Sequence, residues 1–268
     1  MPDDLLQFEP FYVSPQQKIF LFEGDCCDFL PVLREYSNCR FHAIFADPPY
    51  FLSGGGTTCY AGKRIKVDKA KWDASKSLRE IHAFNLTWLK ACQDVLLPNG
   101  TIWVTGTHHI IFSIGYAMQQ LGFKILNSIA WEKPNPPPNL SCRYFTHSTE
   151  TIIWAAKDIG SRHCFNYQAM RKENQGRQMK TVWEISAPGK KEKLQGKYST
   201  QKPVVLVERC LRASTEPGNR ILDPFLGSGT TAIACSRLGL DCVGVERELD
   251  CLNLALKRIK AESPQGAI

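Results

Sequence analysis

"RILDPFLGSGTTAIACSRLGLDCVGVERE", residues 220–248, decides the fold. An apolar run (220–223) ends in Asp223 and passes into Gly227-Ser228-Gly229-Thr230. A helical stretch, 230–238, stops at Gly239. A second apolar run, 241–246, ends in Glu246. Glycines let the backbone turn tightly and approach a ligand. The helix that follows attracts an anionic group to its N-terminus. An acid about 20 residues beyond such a turn reaches the hydroxyls of a ribose, and Glu246 stands nineteen residues after Gly227.

The spacing also excludes ligands. G-x-G-T lacks the third glycine of a dinucleotide motif, and no Gly-Lys-Ser/Thr follows, as a phosphate loop requires. Only 22 residues follow Glu246, so the rest of the sheet must come from residues before the loop. S-adenosylmethionine fits these features. It offers a ribose to Glu246, an adenine, and a carboxylate and ammonium to the loop and nearby charges.

Outward from this unit, five more apolar runs read as buried strands: 18–24, 41–47, 100–106, 125–133 and 149–156. Helical periodicity fills 78–97, 109–121 and 203–214. Strands alternating with helices predict an α/β fold with a mostly parallel, Rossmann-like sheet. Residues 1–156 and 201–268 read as two parts of one catalytic domain. Residues 157–200, basic and poor in periodicity, read as a small target-recognition insertion, and 51–76 as a long mobile loop.

"HAIFADPPYFLSGGG" (42–56) supplies the second half of a site. Asp47 ends its strand as Asp223 ends its own, and in a parallel sheet such ends share one edge, where ligands bind. An exocyclic amine on a base is a poor nucleophile, because its lone pair is conjugated into the ring. The Asp47 carboxylate and the Pro48 carbonyl can each accept one of its N–H groups and draw the nitrogen toward tetrahedral geometry. Pro48 and Pro49 fix the backbone. Tyr50 offers a face on which a flat base stacks, once that base has left its duplex. Positioning then supplies much of the catalysis.

These motifs resemble those of the amino-group DNA methyltransferases in which the catalytic motif precedes the cofactor motif, a circularly permuted order. "DPPY" (47–50) resembles their catalytic motif and "DPFLGSGTT" (223–231) their S-adenosylmethionine loop. "YSTQKP" (198–203) resembles the segment before that loop, and "GDCCDFL" (24–30) the segment whose acid, here Asp25, faces the adenine. "KPNPPPNLSCRYFTHSTETIIWA" (133–155) extends the likeness to the DpnA-like GATC adenine methyltransferases of restriction systems. The resemblance implies N6 methylation of adenine in GATC, with single-stranded DNA as a further acceptor. Tyr198-Ser199 departs from the His-Pro that related proteins often carry.

By role, Asp47 is the expected proton acceptor and amine orienter. Asp25, Asp47, Lys202, Asp223, Pro224, Phe225, Gly227, Gly229, Thr230 and Glu246 are expected around the cofactor, with Lys202 on its carboxylate. Trp131 is expected beside the extruded base, and Arg143, Tyr144 and His147 on DNA. His108 and His109 follow a strand and carry no assigned role. No metal is expected, because a sulfonium is its own leaving group, and no Pro-Cys turn supplies a nucleophile for C5 methylation.

Composition agrees with a polyanionic partner. The chain of 268 residues carries a net charge of +7. Residues 157–202 hold eleven Lys and Arg against four acids, which equals that whole excess. Lys190, Lys191 and Lys193 are the expected phosphate contacts there, and residues 62–76 form a second basic cluster. Eleven cysteines without metal-ligand spacing suit a reducing cytoplasm. No stretch reads as a membrane span or secretory signal, and a homodimer stays open. Three other readings remain: an N4-cytosine methyltransferase, an RNA or protein amide methyltransferase of the Pro-Pro-Tyr kind, and a non-enzymatic DNA-binding module. The amide enzymes usually carry their motifs in the reverse order.

Overall fold

The computed structural model describes residues 3–16, 18–51, 57–60, 63–66 and 76–262. The elements that build the site, in chain order, are β1 (Tyr12–Val13), β2 (Ile19–Glu23), α1 (Cys26–Arg34), β3 (Phe41–Ala46), β4 (Thr57–Tyr60), β5 (Lys63–Lys66) and α2 (Leu78–Val95). There follow β6 (Leu96–Gly106), α3 (Ile111–Gln120), β7 (Lys124–Glu132), β8 (Thr149–Ala156), α4 (Tyr167–Glu173) and β9 (Val182–Glu184). The chain closes with α5 (Val204–Ser214), β10 (Arg220–Asp223), α6 (Thr230–Leu238), β11 (Asp241–Glu246) and α7 (Leu249–Glu262).

Nine strands form one sheet in the order β1-β2-β11-β10-β3-β6-β8-β7-β9. From β2 to β6 every neighbouring pair is parallel. β8 runs against both β6 and β7. Continuous apolar runs form these central strands because helices cover both faces. On β3, Ile44 and Ala46 join the core under α1, α2 and α3, while Ala43 and Phe45 join the core under α5, α6 and α7. This alternation is the period-2 geometry of a strand.

Local chemistry sets the helix ends. Ser77 and Glu80 form a reciprocal capping box at the start of α2. α6 is preceded by its N-cap Gly229, whose φ of 79° is left-handed and where a Cβ would lie 2.8 Å from that of Ala255. Both constraints require glycine. α2 ends at Val95 and β6 begins at Leu96, so the helix stops two residues short of the periodicity that runs to 97. A register shift between Phe41 and Ala43 accommodates the extra residues.

Two stretches carry structure that the sequence does not display. Residues 157–200, expected as an insertion, add a strand to the sheet and a helix. β9 pairs with β7, Ala130 opposite Val182, and buries Trp183. α4 is tied to α5 by Glu173, which pairs with Arg209 and Arg212 at 2.6 and 2.7 Å. Three residues are too short for a strand's alternation to show, so the sequence displays only the basic composition. Within 51–76, β4 and β5 form an antiparallel pair, and the rest of that expected loop, apart from Phe51 and Lys76, lies outside the described residues, Lys69 and Lys71 of its basic cluster included. No described helix is long and apolar enough to cross a membrane.

Candidate active site

A cleft of about 850 Å³, counting its open mouth, runs along the C-terminal edge of the parallel strands. Gly24, Asp25 and Cys26 after β2, Pro224 and Phe225 after β10, and Glu246 to Glu248 after β11 line one end. Asp47 to Phe51 after β3 line the other. The parallel register between β3 and β10 and between β10 and β11 brings these ends together. Such an edge is where open α/β sheets bind ligands.

At the first end Glu246 is the central group. Its Oε2 accepts the Gly227 N–H at 2.7 Å, and its Oε1 accepts that of Glu248 at 2.9 Å. The Arg247 N–H also donates to this carboxylate, which still leaves it acceptor capacity for a further donor. Burial pushes the carboxyl up, and the backbone donors partly offset that. Asp25 caps α1 through the Cys27 N–H at 2.8 Å and faces Arg247 at 3.7 Å. Phe225 and Phe84 supply apolar walls and meet at 6.2 Å. A carboxylate with open acceptor positions beside aromatic walls fits a ribose carrying a base.

The glycine loop stands behind this surface. Gly227, at φ 52°, carries the ring of Tyr198, which a Cβ would meet at 3.1 Å. Gly229 and Thr230 pack inward, and Thr230 donates to the Lys202 carbonyl at 3.2 Å. Beneath them Arg258, buried, donates to the Ser228 carbonyl at 2.5 Å and hydroxyl at 2.8 Å. Asp223 does not line the cleft. It is buried and accepts the Phe225 N–H at 3.0 Å. Burial pushes its carboxyl up to about 7, against the pull of its hydrogen bonds to Thr231 and Phe225. It therefore shapes the turn that presents Phe225.

At the second end Asp47 accepts three donors. Thr105 lies 2.6 Å and the Tyr50 hydroxyl 2.8 Å from Oδ1, and Lys202 Nζ lies 2.5 Å from Oδ2. The Tyr50 hydroxyl also lies 3.2 Å from Glu150 Oε2. Glu150 in turn faces Lys202 at 3.7 Å and Lys133 at 2.5 Å. Two acids and two ammonium groups thus alternate through a largely buried cluster. Burial works to lower Lys202, but Asp47 and Glu150 outweigh it and raise its pKa. Burial works to raise Glu150, but the two lysines outweigh it and lower its pKa. Burial and the neighbouring acids hold the Tyr50 hydroxyl far above its ordinary range, so it stays a neutral donor. Phe51, at φ 55°, is left-handed without being glycine. That conformation costs about 1–3 kcal/mol and clusters at functional sites.

Several expected site residues, Asp223 and the glycine loop among them, stand off the cleft lining. Lys202 also stands off it and pairs with Asp47 and Glu150. Trp131 is a core residue. It is 1% exposed, and its indole N–H donates to the Ile185 carbonyl at 2.8 Å. Arg143, Tyr144 and His147 lie exposed between β7 and β8, and Lys190, Lys191 and Lys193 lie on or beside a single exposed turn. The structure adds Glu150, Thr105, Lys133 and Arg258 to the site, and nothing local in the sequence marks them. It also adds Lys76, which lines the cleft over the Phe51 ring at 4.9 Å and which the sequence shows only as part of a basic run.

The chain matches the N6/N4 DNA methylase family model over residues 41–257. It is 49% identical to the type II methyltransferase M2.DpnII of Streptococcus pneumoniae over 260 residues, 97% of this chain and 95% of that protein. It is 44% identical to the type II methyltransferase M2.MboI of Moraxella bovis, over 97% of this chain and 94% of that one. Among solved structures, M1.HpyAVI in complex with S-adenosylmethionine superposes with a TM-score of 0.70 at 25% identity, covering 90% of this chain and 98% of that one. The cytosine-N4-specific PvuII DNA methyltransferase superposes at 0.72 and 18% identity, covering 93% and 88%, a likeness of fold.

Proposed function

From the premise that the chain belongs to the N6/N4 DNA methylase family, we propose that it transfers a methyl group from S-adenosylmethionine to the N6 of adenine in GATC, as the modification enzyme of a restriction system. The observation that carries this reading is the opening of Glu246 and Asp47, from the ends of β11 and β3, into one cleft. Glu246 would hold the ribose, with Phe225 and Phe84 beside the adenine and Asp25 at its rim. When bound, the cofactor supplies an electrophilic methyl group on a sulfonium. Asp47 orients the target amine through the lone pair its three donors leave open, and the Pro48 carbonyl takes the second N–H. Tyr50, its hydroxyl tied to Asp47 and Glu150, presents its ring to the base. The spent proton leaves by way of Asp47.

The likeness to adenine enzymes of GATC systems supports the choice of base and site. Lys190 and Lys191, exposed, and Lys193, half-buried, would hold phosphates. DNA as substrate implies action in the cytoplasm, and the ten cysteines whose side chains are described, thiols outside any disulfide, suit it. The test is incubation with methyl-labelled S-adenosylmethionine and either GATC or GTAC duplexes, then nucleoside analysis, with a single-stranded GATC arm. Label in N6-methyladenine from GATC alone is expected. Label in N4-methylcytosine, or equal label from GTAC, overturns the choice of base or site, and unlabelled DNA overturns the reading.

A further inference from the structure

Four exposed rings stand in a row beside the catalytic end of the cleft. Tyr144 lies 5.3 Å from His147, His147 lies 4.6 Å from His108, and His108 lies 3.8 Å from His109, by ring centroids. The middle pair is stacked, with 22° between planes. All four rings are exposed, Tyr144 to 60%.

Their place in the fold is set by two strands. β6 delivers Thr105 to Asp47 and ends at Gly106, two residues before His108. β8 delivers Glu150 to Tyr50 and starts at Thr149, two residues after His147. Gly106 pairs with Thr151 across these strands, so both run out at the same edge. The row therefore stands at the end of the strands that hold the catalytic carboxylate and ring. Arg143, exposed and next to Tyr144, adds a cation for a phosphate.

We propose that this row is a nucleobase subsite, which stacks the nucleotide next to the extruded base. The inference rests on the DNA methylation reading. Extrusion removes one stacking neighbour from the flanking base. An exposed ring at the mouth of the site replaces that neighbour, and because every base has a π-face, the contact tolerates sequence. A cluster that only pinned the loop between β7 and β8 would bury its rings, and these are open.

The probe is a GATC strand with 6-methylisoxanthopterin, a guanine analogue that pairs with cytosine and is quenched by stacking, in place of the guanine next to the target adenine, or of a guanine three nucleotides away. In the wild-type complex the flanking probe stays quenched, although its neighbour has left. Tyr144→Ala with His147→Ala should brighten it and raise KM for DNA about tenfold, while the S-adenosylmethionine Kd is unmoved. Tyr144→Phe with His147→Phe keeps the rings and should keep both the quenching and the KM. The distant probe should respond alike in all three proteins. Wild-type KM and emission in the Ala pair overturn the subsite, as does failure of the Phe pair to preserve them. Failure of the wild type to methylate DNA instead overturns the reading on which the subsite rests.

Discussion

Lys202 Nζ lies 2.5 Å from Asp47 Oδ2, although 155 residues separate them in the chain. The contact joins the segment before the glycine loop to the Asp47-Pro48-Pro49-Tyr50 turn. With Thr105 and Tyr50 it sets which acceptor positions of Asp47 stay open. Glu150 completes it, since Lys202 lies between the two acids.

Glu150→Gln should therefore disturb aim rather than binding. Removing one partner from a buried charge cluster leaves its counter-charge poorly compensated. A fall in kcat of tenfold or more is expected, with the S-adenosylmethionine Kd changed less than about threefold and a shifted pH–rate profile. Asp47→Ala should cost about a hundredfold or more in rate, with cofactor affinity within about tenfold. A Glu150→Gln enzyme with the wild-type profile and kcat would show that the cluster serves folding alone.

Glu246→Ala should weaken cofactor binding by about ten- to a hundredfold, since charge-assisted hydrogen bonds of about 1.5–3 kcal/mol disappear. Because burial raises the Glu246 carboxyl, affinity in the wild type should drop as pH falls through that raised value, earlier than for an exposed glutamate. Calorimetry across pH measures both effects, and an unchanged Kd removes Glu246 from the ribose site.

Asp223 sets a pH dependence of stability. Its carboxyl titrates at about 7 in the fold and at an ordinary 3.8 when the chain is unfolded. Between those values the native state binds the extra proton. The stabilisation is full below about pH 4 and is lost as pH rises through 7, on the order of 4 kcal/mol at about 1.36 kcal/mol per unit. Urea unfolding at pH 5 and 8 should show the part of this loss that falls above pH 5, about 3 kcal/mol, in the wild type and a much smaller one in Asp223→Asn. Equal losses would remove Asp223 as the source.

Replacing Lys190, Lys191 and Lys193 with Ala should flatten the log–log salt dependence of duplex binding by about 0.9 for each phosphate no longer neutralised. Sequence preference should survive, because such lysines position the backbone and do not read bases. Identical salt titrations for wild type and triple variant would make this turn a solvated face.

What is legible in the sequence is what short stretches encode. The turn at Gly227 and Gly229, the acid at Glu246 and the strand that ends in Asp47 are local, and their periodicity and spacing predict both fold and cleft. Thr105 and Glu150 carry no local sign. They reach Asp47 and Tyr50 only because β6 pairs with β3 on one side and with β8 on the other. Trp131 misleads for the complementary reason. Its register opposite Glu150 and Trp183 puts it on the face of the charged cluster, with Lys133 4.6 Å over its ring, but buried behind that cluster and not open to the cleft. Lys202 precedes the cofactor loop, which points a sequence reading toward the cofactor, but the side chain crosses the cleft edge to the catalytic acid.

The pairing of β2 with β11 and of β3 with β10 also bears on synthesis. Residues 19–23 and 41–46 leave the ribosome early, yet their partners, residues 241–246 and 220–223, emerge near the end of the chain. The sheet stays open through most of translation, with its β2 and β3 edges unpaired. Such long-range closure is slow and exposes edges to aggregation. A chain cut short before residue 220 has Asp47 but neither β10 nor β11, so it lacks the strands that carry Phe225 and Glu246 to the other side of the cleft.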